Sequence, residues 1–221
     1  MKRVAGFFAH PDDEAIIAGG SLAKHASLGN DVMLFFMTSG EAGGTTQSPE
    51  EMREIRELEA RNSGSVLGVA SVGFLRYPDG GLVCDQGSIS RVVGLIRRYM
   101  PNVVYTHYGV DRHSDHRATN AILKEALFRA SEPYSHGAGG QKWTVGMSLA
   151  GELGGLIQTP TYLEDVSEFM DVKYRALGQH KSQAGEVDYE RAFRGLNAYR
   201  GLITGSDVEA FDIIAASNLF D

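Results

Sequence analysis

The sequence predicts an α/β protein with a Rossmann-like, mostly parallel sheet, helices on both faces of that sheet, and a single domain. The first observation behind this prediction is that short apolar runs alternate four times with longer segments whose apolar residues recur at helical spacing. The second is that the run at residues 32–36 is continuously apolar, which is typical of a parallel strand covered on both faces. The third is the length, because 221 residues suffice for one substantial α/β domain, to which we assign residues 1–221.

The elements up to residue 68 are bounded by residues that start and stop helices. The first predicted helix is followed by Gly29, a common C-terminal residue of helices. The second begins with Pro49 and two acids, near the positive end of the helix dipole, and ends at Gly68. Gly19 and Gly20 lower helix propensity, so we expect them to allow close packing of the first helix on the sheet. The predicted elements here are a strand at 4–8, a helix at 15–26, a strand at 32–36 and a helix at 48–67.

Beyond residue 68 the alternation continues, and Pro101 separates a helix from the next strand. A strand at 71–75 precedes a helix at 88–100, and a strand at 102–106 precedes a helix at 115–130. The glycine-rich segment 135–155 is hard to assign, with a strand at 143–149 as one interpretation. The remaining predicted elements are helices at 165–177 and 188–199 and a late strand at 208–214.

The composition excludes several classes of protein. The formal charge of −7 argues against a non-specific nucleic-acid binder, which normally shows a basic stripe. No run of about 18 apolar residues is present, so we expect no membrane span. The only cysteine, Cys84, cannot form an internal disulfide, and the apolar run after Met1 is too short for a secretory signal. We therefore expect a cytoplasmic protein.

Two clusters of polar side chains follow two of the predicted strands. His10, Asp12 and Asp13 come directly after the strand at 4–8, and a second cluster at 107–116 follows the strand at 102–106. Active sites of open α/β sheets lie at the carboxyl ends of the strands. The two clusters can therefore face each other across one edge of the sheet.

The two clusters together contain the side chains of a metal site. Two histidines and one carboxylate around an open position form either a hydrolytic zinc site or the iron site of non-haem oxygenases. His10 and Asp13 are three residues apart, as are His113 and His116, and this spacing at a helix start places two side chains on one face. A single histidine is more often structural, and an Asp-Asp pair is often a helix cap. The coincidence of both clusters makes a purely structural origin the weaker interpretation.

These residues also carry a family resemblance. The sequences Ala9-His10-Pro11-Asp12-Asp13-Glu14 and His113-Ser114-Asp115-His116 resemble those of the PIG-L/LmbE-like metal-dependent deacetylases. Shorter similar stretches occur at residues 38–41, 56–59, 67–69, 78–80 and 101–104, and a later one at 173–183 ends with His180-Lys181-Ser182-Gln183. The resemblance covers roughly residues 4–130 well. It implies a Rossmann-like fold, a metal ion that is usually zinc, and removal of an N-acetyl group from an amino sugar.

The resemblance also implies roles for single residues. His10, Asp13 and His116 would bind the metal, Zn²⁺ or another divalent ion such as Fe²⁺. Asp12 would be the general base, His113 a second acid–base group, and Asp115 the residue that orients His113. Two residues depart from the family pattern: Ser114 replaces a proline, and Asp111 stands where some relatives have a tyrosine that polarises the substrate carbonyl.

Recognition of the sugar is expected from the loops around the metal. Glu41, Arg56 and Asp79 resemble substrate-contact positions of the family, although Arg56 also suits an exposed helix charge and Asp79 a simple turn. His180 suits either the site or a helix C-terminus. Three aromatic residues can stack on a sugar but are more typical of a core or interface: Tyr134, Trp143 and Tyr162. We interpret His25, His107 and His136 as structural or surface residues.

The resulting hypothesis is a cytoplasmic, zinc-dependent deacetylase whose partner is a small N-acetylated amino sugar or its conjugate, not a nucleic acid. Relatives are often oligomeric, so a homo-oligomer is one expectation. An amidase acting on a thiol-sugar or peptide conjugate would need the same chemistry. A non-haem iron oxygenase is a third hypothesis, and a non-catalytic sugar or nucleotide binder is a fourth.

Overall fold

The computed structural model describes residues 1–133, 139–185 and 187–217, which contain seven strands and six α-helices. The N-terminal half contains β1 (Arg3–Phe8), α1 (Asp13–Ser27), β2 (Asp31–Thr38), α2 (Pro49–Leu67), β3 (Ser71–Tyr77), α3 (Gln86–Tyr99), β4 (Val103–His107) and α4 (Ser114–Ser131). The C-terminal half contains β5 (Met147–Gly151), β6 (Tyr162–Asp165), α5 (Met170–Leu177), α6 (Tyr189–Arg200) and β7 (Val208–Ala216).

All seven strands join one sheet in the order β3-β2-β1-β4-β5-β7-β6. The first five of these are parallel, whereas β7 runs antiparallel to both β5 and β6. The chain leaves β1 towards β2 on one side and later returns to place β4 on the other side. The crevice at the carboxyl ends of β1 and β4 is therefore the topological switch point at which open α/β sheets bind ligands.

Alternating side chains of the central strands build a core on each face of the sheet. Phe8, Leu34 and Tyr105 belong to the core on the face with α1 and α5. Phe7 and Val104 belong to the core on the face with α3 and α4. Both faces of the parallel strands are thus buried, as the continuous apolar runs indicated, and the predicted fold class is confirmed.

The differences from the predicted elements lie mostly in the C-terminal half. The strand expected at 143–149 runs from Met147 to Gly151, and β6 was not predicted. Asp165 ends β6 instead of starting a helix, and a turn of 3₁₀-helix precedes α5. Within the described ranges, no helix combines the length and the apolar character that a membrane-spanning segment requires.

The two glycines of α1 pack on the C-terminal segment and not on the sheet as expected. A Cβ atom at Gly19 would lie 3.0 Å from Cγ of Lys173, and one at Gly20 would lie 2.6 Å from Cβ of Val166. Both contacts are tighter than a side chain tolerates without movement of its neighbours. The missing side chains therefore allow α5 and the segment before it to lie against the helix that starts at the candidate site.

A buried ion pair fixes the same contact. The Lys173 Nζ atom lies 2.7 Å from the Glu209 carboxylate, and both side chains are buried. Helix α1 has a kink at Ala18, and beyond it the backbone N–H groups of Gly20 and Ser21 donate hydrogen bonds to Glu209. Because the kink leaves these donors without helical partners, the Glu209 carboxylate acts as a cap for the second half of α1.

We predict that Lys173→Met lowers the free energy of unfolding by about 3–5 kcal/mol, because it leaves the Glu209 charge buried without its partner. The matched control is Lys24→Met, which removes the more exposed pair with Glu164 and should cost less than about 1 kcal/mol. Urea denaturation of both variants measures the two changes. Equal losses would contradict the structural importance that we assign to the buried pair.

Candidate metal centre

The loops after β1 and β4 bring together the three residues that the resemblance implied as metal ligands. The His10 Nδ1 atom lies 3.3 Å from Oδ2 of Asp13 and 3.3 Å from Nε2 of His116. The His116 Nε2 atom lies 3.5 Å from Oδ1 of Asp13. Ligand atoms of a tetrahedral zinc ion with bonds of about 2.0–2.2 Å lie about 3.3–3.6 Å apart. The spacing of the three side chains thus fits a common divalent ion.

The orientation of the His10 ring supports this fit. Its Nε2 atom lies 3.1 Å from Oδ1 of Asp79 and 3.3 Å from Oδ2 of Asp115. Because a carboxylate accepts hydrogen bonds, we assign the proton of the neutral ring to Nε2. The lone pair of Nδ1 is then directed among Asp13 and His116, as a metal ligand requires.

Asp111 plays the same part for His116. Its Oδ2 atom lies 3.1 Å from Nδ1 of His116, so the proton belongs on Nδ1 and the lone pair on Nε2. Asp111 also accepts hydrogen bonds from the backbone N–H groups of His113 and Gly154. These three contacts lower the pKa of the Asp111 carboxyl to about 2 in spite of its burial. The residue that replaces the tyrosine of some relatives therefore orients a ligand.

The loop that binds Asp111 has no room for a side chain at position 154. A Cβ atom at Gly154 would overlap Oδ1 of Asp111. The glycine permits the close approach of its backbone N–H group to the carboxylate. It ties the segment after β5 to the carboxylate that orients His116.

His107 is a further buried histidine at this centre, although the sequence predicts only a structural or surface position for it. Its Nε2 atom accepts a hydrogen bond of 2.9 Å from the Ala9 N–H group and lies 3.2 Å from Oδ2 of Asp13. Its ring stacks on that of His116. Burial lowers the pKa of His107 to about 4, so the ring is neutral. Because the Nε2 lone pair of the neutral ring accepts the backbone N–H group, no proton is left on Nε2 for Asp13, and His107 is a poorer candidate for the ligand than His10.

The electrostatics of the cluster favour a cation. Burial opposes protonation of His10, but contacts with three surrounding carboxylates raise its pKa well above its ordinary value. Burial opposes ionisation of Asp13, but the neighbouring imidazoles hold its pKa well below its ordinary value. Buried carboxylates that stabilise positive charge on a neighbouring imidazole in this way are suited to a divalent ion.

Asp12 lies beside the ligand Asp13 in a strained conformation. Its backbone φ angle is 114°, in the region that residues other than glycine rarely adopt, at a cost of about 1–3 kcal/mol. Burial raises the pKa of the Asp12 carboxyl to about 6, although the Arg56 guanidinium, 3.3 Å away, opposes this rise. The carboxylate is therefore mainly ionised at neutral pH and can accept a proton.

The structure changes the role expected for Asp115. Its carboxylate does not contact His113 among the described residues but accepts from Gly80 N, Leu82 N and His10 Nε2. His113 is instead held by its own backbone position, because it caps α4 and its Nδ1 atom accepts from the Asp115 N–H group. The proton of neutral His113 therefore lies on Nε2. Burial and the charges of the neighbouring histidines lower the pKa of His113, so the neutral form prevails.

The three implied substrate residues occupy different positions. Asp79 lines the cavity but is bound to His10 and to the backbone N–H group of Ala42. The Glu41 carboxylate accepts from the Asp79 N–H group and is absent from the cavity lining. Glu41 therefore holds the loop that carries Asp79, and the contact with substrate expected for it stays a prediction.

Arg56 is buried and also lines the cavity. Its guanidinium donates hydrogen bonds to the carbonyl groups of Pro11 and Gly40 and lies beside Asp12. An exposed arginine on α2 would form an ion pair with Glu51 or Glu59. Arg56 pairs with neither of them within the described ranges. Arg56 thus joins the loops after β1 and β2 at the edge of the site.

The centre opens into a cavity of about 370 Å³. Three of its lining residues with polar groups were given no role from the sequence: Arg112, Gln183 and Tyr189. The Arg112 side chain has no hydrogen bond or ion pair to the residues that the structure describes. A second, more apolar cavity of about 370 Å³ shares Asp12, Ile16, Gln183 and Tyr189 with the first. The arrangement offers a polar chamber at the centre and an adjoining apolar space.

Two of the three aromatic residues considered for sugar stacking, Trp143 and Tyr162, line neither cavity. Trp143 donates a hydrogen bond to the Pro101 carbonyl group, and Tyr162 donates one to Glu164. His25 contacts Tyr105 away from the centre. Tyr134 and His136 lie outside the described residues.

Comparisons with known proteins agree with this geometry. The family model described as PIG-L, GlcNAc-PI de-N-acetylase, matches residues 6–127. A diacetylchitobiose deacetylase of Thermococcus kodakarensis is 28% identical over 93% of this chain and 80% of its own length. A 1D-myo-inositol 2-acetamido-2-deoxy-alpha-D-glucopyranoside deacetylase of Rhodococcus erythropolis is 31% identical over 65% of this chain, which spans 58% of that relative.

Solved structures share the fold over almost the whole chain. An N,N'-diacetylchitobiose deacetylase from Pyrococcus horikoshii superimposes with a TM-score of 0.86 at 24% identity, covering 96% of this chain and 83% of that chain. GalB, a 4-carboxy-2-hydroxymuconate hydratase from Pseudomonas putida, gives a TM-score of 0.84 at 22% identity, covering 100% and 99%. At these identities the likeness concerns the fold, which in GalB has a different activity.

We predict that zinc binding releases protons and tightens as the pH rises. Contacts with carboxylates raise the pKa of both His10 and His116 above 6.5 in the metal-free protein, although burial opposes this. These imidazoles hold protons near neutral pH and must lose them to bind a metal. Calorimetry in buffers of different ionisation enthalpy should detect about one to two protons released near pH 7.

His113→Ala is the control for this measurement, because the pKa of His113 is lowered and its ring is already neutral. The variant should show the same proton release as the unmodified protein. An affinity that does not change between about pH 6 and pH 8 would contradict the ligand assignment.

Proposed function

Because this chain belongs to the PIG-L family, we propose that it is a zinc-dependent hydrolase that removes the N-acetyl group from an amino sugar or its conjugate, releasing acetate and a free amine. The observation that carries this proposal is the convergence of His10 Nδ1, Asp13 and His116 Nε2 beside the unligated Asp12 carboxylate. The family and the enzyme class predicted from the sequence, an N-acetyl amino-sugar deacetylase, are confirmed by the relatives. The choice of zinc among divalent ions remains part of the proposal.

Asp12 is the proposed general base. When bound by His10, Asp13 and His116, a divalent ion supplies an acidified water and a positive charge near the substrate carbonyl. Asp12 takes a proton from the attacking water as the water oxygen bonds to the acetyl carbon. The same carboxyl then gives the proton to the amine nitrogen as the carbon–nitrogen bond breaks. In the metal-free protein burial raises the pKa of Asp12 to about 6, so this carboxyl can both gain and lose a proton near neutral pH.

His113 is proposed to act as a neutral hydrogen-bond donor. Its Nδ1 atom accepts a hydrogen bond from the Asp115 N–H group. Protonation of Nδ1 would therefore bring two N–H donors face to face. The Nε2–H group remains for the oxygen on which negative charge develops. This role replaces the protonated His113 that the resemblance implied, because no carboxylate of a described residue hydrogen-bonds to the ring.

Substrate recognition is proposed for two polar residues of the cavity lining. The Arg112 side chain has no hydrogen bond to a described residue, and the Gln183 amide nitrogen donates only to Ser182 Oγ and the Gly43 carbonyl group. The Arg112 guanidinium and the Gln183 amide suit the hydroxyl groups of a sugar. The adjoining apolar cavity provides space for the group to which the sugar is attached. An amidase acting on a thiol-sugar or peptide conjugate would use the same centre with a different occupant of this space. The cytoplasmic location and the homo-oligomer remain predictions.

Acetate release across a panel of compounds tests the proposal. We expect the zinc-loaded protein to release acetate from at least one of free N-acetylhexosamines, nucleotide-linked sugars, aminoglycoside precursors and thiol-sugar conjugates. Activity should disappear after chelation and return with Zn²⁺. The reaction should proceed without oxygen, which an iron oxygenase would require. A metal-free protein as purified, or no acetate from any compound, would contradict the proposal.

Asp12→Asn should reduce kcat by about 10²–10⁴-fold, because it removes the base, while zinc content stays unchanged. His116→Ala should instead lose the metal. The matched control is Asp85→Asn at the N-terminus of α3, remote from the site, where asparagine is also a good cap. Full activity of Asp12→Asn would refute the base assignment.

A further inference from the structure

A line of buried polar side chains lies behind Asp12, away from the three ligand atoms. The His180 Nε2 atom lies 2.8 Å from Oε1 of Glu14, which also accepts a hydrogen bond of 2.6 Å from the Ser63 hydroxyl. Oε2 of Glu14 accepts a hydrogen bond of 2.9 Å from the Asp12 N–H group. Glu14 is completely buried and His180 is 3% exposed. The mechanism proposed above uses none of these side chains.

The hydrogen bond to Asp12 falls on the residue whose backbone is strained. Asp12 has a φ angle of 114°, and its N–H group points to Glu14 while its carboxylate contacts Arg56. A residue stays in such a conformation only when its surroundings fix it. The Glu14 carboxylate is one of the groups that fix it, because it holds the peptide immediately before the Asp12 side chain.

His180 in turn holds Glu14. A fully buried carboxylate is stable in its ionised form only when it is paired with a positive charge or accepts several hydrogen bonds. Burial opposes ionisation of Glu14, but the charge of His180 and the hydrogen bonds to Glu14 lower the pKa of its carboxyl. The other ring nitrogen of His180, Nδ1, is buried and has no partner among the described residues. Glu14 is therefore the polar group to which the His180 ring is bound.

We propose that His180 and Glu14 are positioning residues for the general base: His180 fixes the Glu14 carboxylate, and Glu14 fixes the backbone of Asp12 and thus the direction of its carboxylate. This inference rests on the proposed function of Asp12 and assigns a role to the sequence at 180–183. It connects α5 and the turn after it to the reacting end of α1. A misplacement of the base by a fraction of an ångström lowers the rate without weakening substrate binding.

The first test separates kcat from KM. His180→Ala should lower kcat by about tenfold to a hundredfold with zinc content unchanged. Because His180 also lines the adjoining apolar cavity, KM should stay unchanged for a substrate too small to enter that cavity. His180→Gln keeps an N–H donor at a similar distance and should recover most of the loss. If His180→Ala does not fold, Glu14→Gln replaces it, since the amide nitrogen would face donors, and the same selective loss of kcat is expected. His25→Ala, a partly buried histidine at the far end of α1, is the control and should keep full kcat.

The second test does not depend on turnover. In protein labelled with ¹⁵N-aspartate, the Asp12 amide proton should resonate far downfield because it is bound to a carboxylate. His180→Ala should move this resonance, His180→Gln should move it less, and His25→Ala should leave it in place. The measurement is made on the metal-free and on the zinc-loaded protein.

The two tests distinguish a failure of the positioning role from a failure of the proposed deacetylase function. Absence of acetate release by the unmodified protein would refute the deacetylase, whereas the amide resonance would still report on the positioning. A His180→Ala or Glu14→Gln variant that melts at a lower temperature but keeps kcat and the Asp12 resonance would overturn the inference and leave a purely structural pair. A loss of kcat that glutamine at position 180 fails to recover would also overturn the proposed hydrogen-bond route.

Discussion

The pairing of β1 with β4 is the constraint on which the rest of the structure depends. The two strands are neighbours in the sheet although about a hundred residues of chain separate them. Their carboxyl ends therefore deliver two short loops to one place, and each loop opens directly into a helix. No single loop contains a complete set of ligands. The site exists only because parallel pairing aligns the two ends, and the helices on both faces keep the sheet in that order.

Carboxylates determine how the histidines of the site can react. Asp79 and Asp115 direct the lone pair of His10, and Asp111 directs that of His116. Each carboxylate in turn accepts hydrogen bonds from backbone N–H groups. The conformation of the loops therefore determines the orientation of the imidazole rings. The same logic extends to Asp12, which is held from one side by Arg56 and from the other by Glu14. Two aspartates that are adjacent in sequence thereby receive different tasks.

The sequence predicted the fold class, the order of the first eight elements and the two clusters, because apolar periodicity and the carboxyl ends of parallel strands are local signals. It missed β6, which is short and mostly polar, and it misjudged where α5 starts. The roles of Asp111, Asp115 and Glu41 could not be read from the chain, since each depends on which distant backbone group reaches the carboxylate. His107 could have been found, because it ends β4 within the same cluster.

The contact between Gly154 and Asp111 has a consequence for how such a protein acquires new substrates. The loop after β5 borders the cavity, and loops of this kind are where insertions and exchanges accumulate. Position 154 is an exception, because any larger residue would push on the carboxylate that aims His116. Libraries that diversify this loop should therefore spare that glycine, since changing it would damage the catalyst while seeming only to alter its selectivity.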